Sequence, residues 1–372
     1  MLTGGGTGGH VYPALSVAEQ LRDDQSVEAI LYCGAAGHIE ERLTAERNLA
    51  FVGLSVSGMP RKISGKMLTW PFQFGQAVAD SIKLLKEFHP TAVLGTGGYA
   101  SAPPLVAALF LKIPFAIHEP DAHPGLVNRL MGPHAGLISL GMEGGKSGFQ
   151  DSIARVRVNG NPISERFLTR TSRAKAAKLL DLDPGQTTVL ITGGSQGALV
   201  LNKAVYAALP ALLKGPKPIQ VLHQVGEKNW QDMESTVPEE LRKHPLYKPR
   251  PYFENLALAY AACDLAVCRA GAMTIAELSV MGTPAIFVPL PTAAQDHQTF
   301  NAQAVADRGG AELLKQKDLT GESLSKLIQS MLQDRDGLVK MAEAMKSTAQ
   351  PNAAKRLSEQ LKALSAGEAI SE

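Results

Sequence analysis

The sequence predicts an α/β protein made of two doubly wound parallel-sheet domains. Three observations carry that prediction. Short apolar runs alternate with longer stretches of helical periodicity, glycine-rich loops stand where strands should hand over to helices, and the pattern restarts after Gly160-Asn161-Pro162. Strands buried on both faces read as continuous apolar runs, and parallel neighbours need a crossover helix, so this alternation points to sheets covered by helices. A length of 372 residues also exceeds the ~250–300 residues at which a single core stops growing.

The elements follow in order. Runs at 29–33, 92–94, 114–117 and 156–158 read as strands before the restart, and runs at 188–191, 265–267 and 285–288 as strands after it. Helical periods occupy 14–22 and 78–88, then 198–213 and 301–308. Beyond Asp318 the chain reads as helical over 323–332 and 337–364, with Pro351 dividing the last part and residues 365–372 expected to fray. The first strand is anomalous: only Met1-Leu2-Thr3 precedes the first glycine loop. Either that strand is shortened or the natural start lies upstream. The boundary near residue 161 gives domains at 1–160 and 161–350.

Composition narrows the function. Hydrophobic residues make up 45% of the chain, which rules out wholesale disorder. Of 37 basic and 35 acidic residues, 13 and 13 precede residue 162, leaving 24 and 22 after it. Neither half is basic, which argues against a nucleic-acid partner held by bulk charge. The three cysteines Cys33, Cys263 and Cys268 form no CxxC pair, so neither a disulfide framework nor a zinc site is expected. No signal peptide is evident, and no apolar run reaches the ~18 residues of a spanning helix. A soluble protein, or one lying on a membrane surface, is expected.

Three glycine loops carry the chemistry: residues 4–9 ahead of His10, residues 95–98 ahead of Tyr99-Ala100-Ser101, and residues 193–197 ahead of Ala198. Glycine lets a ligand approach the main chain, and a helix start presents unpaired N–H groups and the positive end of its dipole. Together they bind phosphate. Gly4, Gly6 and Gly9 formally fit GxGxxG, but no carboxylate follows the second strand until Glu40. A dinucleotide-dependent oxidoreductase therefore ranks low.

Several side chains stand near these loops. His10 either holds the first loop's shape or acts as a general base, a task that suits imidazole. Glu277, expected in the first turn of a helix opened near Gly271 or Thr274, either complements the helix dipole or accepts two ribose hydroxyls. Asp296, His297, Gln298 and Asn301 follow the strand at 285–288, where polar groups read a ligand. Arg269 either faces a diphosphate or pairs with a structural carboxylate.

The motifs as a set resemble the MurG family. They are GGTGGH at 5–10 with Pro13-Ala14-Leu15, GTGGYAS at 95–101, His118-Glu119, Gly160-Asn161-Pro162, GGSQGA at 193–198, CRAGAMTIAE at 268–277 and DHQTFNA at 296–302. They run in the family's order over nearly the whole chain. The resemblance implies a GT-B glycosyltransferase with two Rossmann-like domains facing a cleft, and a final helix, about 351–366, packing back on the first domain. It implies inverting transfer of N-acetylglucosamine from UDP to the 4-hydroxyl of the muramoyl sugar in lipid I, forming lipid II for peptidoglycan.

The implied roles carry over by position. Thr7, Gly8 and Gly9 match first-loop contacts, and His10 the residue proposed as base or sugar contact. Ser195 and its neighbouring backbone match the diphosphate loop, and Phe253 a backbone that meets uracil. Ala272, Met273, Thr274, Ile275 and Ala276 match the donor-binding turn, with Glu277 on the ribose. Gln298 and Asn301 match the sugar side, with Gln295 near enough to contribute. Two positions depart. Asp121, in His118-Glu119-Pro120-Asp121, replaces an amide that would contact the donor sugar, and Ser164 replaces an arginine for which Arg166 could compensate.

No cofactor is implied, and with no DxD-like motif no protein-held metal ion is expected. The implied partners are UDP-N-acetylglucosamine, undecaprenyl-linked lipid I, an anionic membrane surface and a cell-wall synthesis complex, but no nucleic acid. The implied location is peripheral, on the cytoplasmic face of the cell membrane. Arg61, Lys62 and Lys66 beside Met67, Leu68, Trp70, Phe72 and Phe74, joined by Phe110-Leu111-Lys112, form the candidate membrane patch; the alternative is a core-packed helix start with solvated lysines. Two rival readings remain: a related GT-B enzyme acting on another lipid such as diacylglycerol, and a non-catalytic UDP-sugar-binding protein. The presence of His10, Glu277 and Gln298 argues against the second.

Overall fold

The computed structural model describes residues 1–59, 65–194, 197–293 and 296–370. The chain divides into two compact units, Met1–Ser164 with Gln350–Glu372, and Glu165–Ala349.

The first unit holds strands β1 (Leu2–Thr3), β2 (Leu31–Ala35), β3 (Ala50–Leu54), β4 (Val93–Gly95), β5 (Phe115–Glu119), β6 (Leu137–Leu140) and β7 (Val156–Val158). They form one sheet in the order β3-β2-β1-β4-β5-β6-β7, with every pairing parallel. Its helices are α1 (Gly8–Arg22), α2 (Ile39–Ala45), α3 (Gly65–Phe88), α4 (Ala102–Phe110) and α5 (Leu126–Met131). Two residues suffice for β1 because it lies at the centre: Leu2 pairs with Tyr32 on one side and Leu94 on the other. The Thr96 N–H extends the ladder, donating to the Thr3 carbonyl at 2.8 Å.

The second unit holds β8 (Thr188–Thr192), β9 (Gln220–Gln224), β10 (Tyr247–Arg250), β11 (Leu265–Cys268), β12 (Ala285–Phe287) and β13 (Ala311–Leu313), all parallel, in the order β10-β9-β8-β11-β12-β13. Its helices are α6 (Arg173–Leu179), α7 (Leu199–Leu213), α8 (Trp230–Thr236), α9 (Glu239–Arg242), α10 (Leu256–Ala262), α11 (Ala272–Met281), α12 (His297–Ala306), α13 (Gly321–Gln333) and α14 (Arg335–Ser347). The period of two along each strand sorts the core into two layers. Val189, Ile191, Val221, Val267 and Ile286 pack with Leu201, Val205 and Leu209 of α7 on one face, whereas Leu190, Leu222, Ala266, Cys268 and Phe287 pack with Tyr260 and Ile275 on the other.

The chain then enters α15 (Ala353–Ala366), whose Leu357 and Leu361 join the α1 residues Val11, Leu15 and Ala18 in one buried cluster. Asn159 anchors the contact. Its amide donates to Gln360 Oε1 at 2.6 Å, and the Arg356 guanidinium donates to its carbonyl at 2.6 Å. The fraying expected from 365 onward does not start there. The helix runs through Ala366 and ends on Gly367 at φ +70, and the Ile370 carbonyl accepts from Arg157.

Replacing Leu357, which is 0% exposed, with alanine is expected to cost about 2–5 kcal/mol of unfolding free energy. Urea titration of the purified chain reads this directly.

Candidate active site

In doubly wound sheets ligands bind beyond the carboxyl ends of the strands, where the strand order reverses. That point lies between β1 and β4 in the first unit and between β8 and β11 in the second. The first and second glycine loops leave β1 and β4, and the third leaves β8, so all three sit at switch points. The helices that follow at the first and third loops, α1 and α7, and the helix α11 after β11, begin without a side-chain cap. Helix starts of this kind, with no cap from the side chain of Thr7, Ala198 or Gly271, are where N–H groups and the helix dipole favour an anion.

In the first unit the two loops meet backbone to backbone. The Gly5 N–H donates to the Gly97 carbonyl at 3.3 Å. Gly98 has φ +77, and a Cβ there would come 2.0 Å from the Gly5 carbonyl oxygen, so only glycine fits. Thr7 caps α1 in extended conformation, Gly8 and Gly9 open the helix, and His10 occupies its first turn. The His10 ring lies over Gly97 and Gly98, with Nδ1 3.1 Å from Thr7 Oγ1. Glu40 is sealed beneath Gly5, its carboxylate accepting from the Ala35 N–H at 3.1 Å, and is 0% exposed.

Residues at the end of β5 close this site, and motif reading left them without a role. Glu119 is buried; its carboxylate accepts from the N–H groups of Asp121 at 3.0 Å and Gly125 at 2.9 Å, and from Asn128 Nδ2 at 2.9 Å. Desolvation, then the nearby Asp121 charge, raises its pKa to about 7. Glu119 thereby shapes the loop that presents Asp121, which is half-buried. His118 is buried between Ser139 Oγ and Asn161 Oδ1, each at 3.0 Å, and burial lowers its pKa to about 4, so it is neutral. The Asn161 amide donates onward to the Pro120 carbonyl, so its oxygen faces the ring and Nε2 carries the proton.

In the second unit the described part of the third loop is held from behind. Gly197, at φ +70, packs so closely that a Cβ would lie 2.3 Å from the Val225 carbonyl. Asn202 of α7 donates to that same carbonyl at 2.8 Å and accepts from His223 Nε2 at 3.1 Å, while His223 Nδ1 accepts from the Tyr247 hydroxyl. Burial lowers the His223 pKa to about 3, keeping this tether uncharged. Ser195 and Gln295 fall outside the described residues, as do Arg61 and Lys62 and the Lys66 side chain.

Phe253 is buried and its N–H donates to Gln224 Oε1 at 3.1 Å. Ala272, Met273, Thr274, Ile275 and Ala276 form the opening turns of α11, with Gly271 as the N-cap. Glu277 therefore lies in the second turn, not the first as expected, because the helix starts at Ala272. The residue is half-buried and its carboxyl meets the Tyr260 hydroxyl at 3.4 Å. Desolvation raises its pKa to about 8. On α12, Asn301 is buried and donates to the Ala270 carbonyl at 3.3 Å, while Gln298 Oε1 accepts from the Leu290 N–H at 3.0 Å. The two side chains thus tie α12 to the ends of β11 and β12. Arg269 donates to the Val288 and Pro289 carbonyls and to Gln316 Oε1, with no carboxylate among these partners. Arg166 donates to the Glu254 carbonyl, beside Phe253.

Among the described residues no group of three or more His, Cys, Asp or Glu side chains is placed to hold a metal ion, and no helix is long and apolar enough to cross a membrane. The apolar patch is partly redistributed. Met67, Leu68 and Phe72 of α3 and Phe110 at the end of α4 are exposed, Phe72 at 81%. Trp70 and Phe74, expected to be exposed, are half-buried; their rings stack at 5.2 Å and Trp70 Nε1 donates to the Ser57 carbonyl.

Two family models match the chain: the glycosyltransferase family 28 N-terminal domain over residues 1–137 and the glycosyltransferase family 28 C-terminal domain over residues 188–357. A UDP-N-acetylglucosamine–N-acetylmuramyl-(pentapeptide) pyrophosphoryl-undecaprenol N-acetylglucosamine transferase of Halothermothrix orenii is 38% identical over 355 residues, 94% of this chain and 95% of the relative. The crystal structure of MurG from Acinetobacter baumannii superposes with a TM-score of 0.75 at 29% identity, covering 97% of this chain and 98% of that one. A putative UDP-N-acetylglucosamine 2-epimerase from Listeria monocytogenes shares the fold, with a TM-score of 0.71 at 12% identity over 100% of this chain and 98% of its own.

The raised Glu277 pKa fixes the sign of a pH effect. The folded chain holds this proton up to about pH 8, whereas the unfolded chain releases it above the ordinary glutamate value of 4.5. The stability present below that value is therefore lost as pH rises through the interval. Glu277→Gln lacks this loss. Thermal melts are expected to show the variant gaining on the native chain from acid to mildly alkaline pH, and an offset that does not change with pH would refute the assignment.

Proposed function

The chain belongs to the MurG family of glycosyltransferases, and on that premise we propose how its two sites share the transfer of N-acetylglucosamine from UDP-N-acetylglucosamine to the muramoyl 4-hydroxyl of lipid I. The enzyme is a UDP-N-acetylglucosamine-dependent hexosyltransferase of GT-B fold, and its product is lipid II. The observation that carries the division of labour is the pair of uncapped helix starts, α7 and α11, flanking the β8–β11 switch point. Departure of UDP concentrates negative charge on the diphosphate, and preorganised N–H groups stabilise such charge without rearranging.

The donor is read by the second unit. The third loop, in which motif position assigns Ser195 to the diphosphate, binds that group, and the turn from Ala272 to Ala276 supports the nucleotide. The Phe253 backbone meets uracil, and Gln298 and Asn301 steady the sugar side. The Glu277 carboxylate accepts both ribose hydroxyls, so binding favours its ionised form and drives off the proton that desolvation holds there.

The first unit receives the acceptor. His10, at the start of α1 and oriented by Thr7, takes the proton of the attacking hydroxyl as the bond to the anomeric carbon forms. Gly8 and Gly9 let the acceptor approach this helix start. Asp121, on the loop shaped by Glu119, stands for the sugar contact that an amide makes elsewhere in the family. The exposed Met67, Leu68, Phe72 and Phe110 rest on an anionic bilayer, where the polyprenyl tail of the acceptor is anchored. The protein thus works as a peripheral enzyme on the cytoplasmic face of the membrane, beside the other enzymes of cell-wall synthesis.

The deciding assay is UDP release by the purified chain with UDP-N-acetylglucosamine and a short-chain lipid I analogue. Release independent of the analogue, or supported equally by diacylglycerol, would remove this reading. His10→Ala is expected to lower kcat by about 100-fold or more with donor affinity close to native. Near-native turnover would reduce His10 to a scaffold residue. Replacing Leu68 and Phe72 with serine should weaken partitioning onto anionic liposomes while UDP binding is kept, and unchanged partitioning would discard the patch.

A further inference from the structure

Gln224 is the last residue of β9 and is 3% exposed. Its side-chain amide spans two segments that approach the β8–β11 switch point from different directions. Nε2 donates to the Gly194 carbonyl at 2.9 Å and to Thr192 Oγ1 at 3.3 Å, while Oε1 accepts from the Phe253 N–H at 3.1 Å. Thr192 Oγ1 in turn accepts from the Gly194 N–H at 3.2 Å. The partners leave no choice of orientation: a carbonyl needs the NH2 group and an N–H needs the oxygen, so flipping the amide would break both ends.

From this geometry we infer that Gln224 is a positioning residue that locks the third glycine loop to the Phe253 backbone and so sets the spacing between the groups that hold the two ends of UDP. The inference rests on the donor site described above. Neither end is held as well without it. Gly194 sits at φ +84, and among the described residues nothing lies within 4 Å of where its Cβ would be, so those residues give the loop little side-chain packing there. Phe253 lies in the irregular stretch between β10 and α10. The backbone ladder reaches Pro251, whose carbonyl accepts from the Gly226 N–H, and the Gln224 side chain carries the connection two residues further. A ligand as long as a nucleoside diphosphate gains when both ends are fixed in advance, because the separation need not be ordered on binding.

Two variants test the bridge. Gln224→Leu removes both ends; the KM for UDP-N-acetylglucosamine is expected to rise about tenfold or more, with kcat and the KM for the lipid acceptor nearly unchanged. A donor KM within about twofold of native in a folded Gln224→Leu protein would overturn the inference. Gln224→Glu keeps the acceptor toward Phe253 but offers Gly194 a donor only when protonated. Its donor KM, taken relative to the native chain at each pH, is therefore expected to fall as pH is lowered from about 8.5 to about 6, the range into which burial moves a carboxyl. A ratio that does not change with pH would overturn the inference even if the leucine variant fails to fold.

Hydrogen exchange separates this from the donor-site reading. Without ligand, the Phe253 amide should exchange slowly in the native chain and faster in Gln224→Leu. Equal exchange overturns the bridge. Slow exchange in a native chain that neither binds nor turns over UDP-N-acetylglucosamine would instead overturn the donor-site reading and leave the bridge standing.

Discussion

Backbone packed against backbone at the switch points is the constraint on which the rest depends. The first and second loops touch with no room for a side chain at Gly98, and the third touches the end of β9 with no room at Gly197. These approaches bring the starts of α1 and α7 to the carboxyl edges of their sheets with their N–H groups unclaimed by side-chain caps. A single Cβ at either contact would separate the elements by more than a hydrogen bond tolerates.

Each unit also holds a buried polar chain that is kept uncharged. His118 joins Ser139 to Asn161, and Asn161 reaches the Pro120 carbonyl. His223 joins Tyr247 to Asn202, and Asn202 reaches the Val225 carbonyl. The two arrangements use the same logic in different units. A neutral imidazole hydrogen-bonds at both nitrogens, an asparagine turns its oxygen to the ring, and its nitrogen holds a loop carbonyl. Burial depresses both histidines well below neutral pH, so the scaffolds stay uncharged. The carboxyls behave oppositely. Burial raises Glu119 and Glu277 toward neutrality, Glu119 while shaping a loop and Glu277 beside the donor turn. At the two histidines both ring nitrogens are satisfied, and buried networks satisfied in this way rigidify a site.

Much of this was legible in the sequence for a clear reason. Interior strands of a parallel sheet are apolar on both faces, so β4, β8, β11 and β12 declare themselves as unbroken runs, and the glycine loops after β4 and β8 mark the switch points. Among the strands that escaped, β9 and β10 lack that signature. β10 is an edge strand reading Tyr247-Lys248-Pro249-Arg250, where proline and charge are tolerated because one side is unpaired. β9 carries His223 and Gln224, polar residues whose partners lie tens of residues away. Trp70 and Phe74 read as exposed aromatics because nothing local foretells their stacking or the bond to Ser57.

By itself the sequence determined the fold class, the family and the three loops, because those depend on local pattern: apolar period, glycine placement and motif order. Only the tertiary structure decided what each polar side chain does. Arg269 serves the Val288 and Pro289 carbonyls, Glu119 shapes a loop, and Gln224 joins two segments that its neighbours in sequence do not mention. The physical reason is that a hydrogen-bonding side chain is defined by its partner. In a doubly wound sheet the partners come from strands adjacent in space and far apart along the chain.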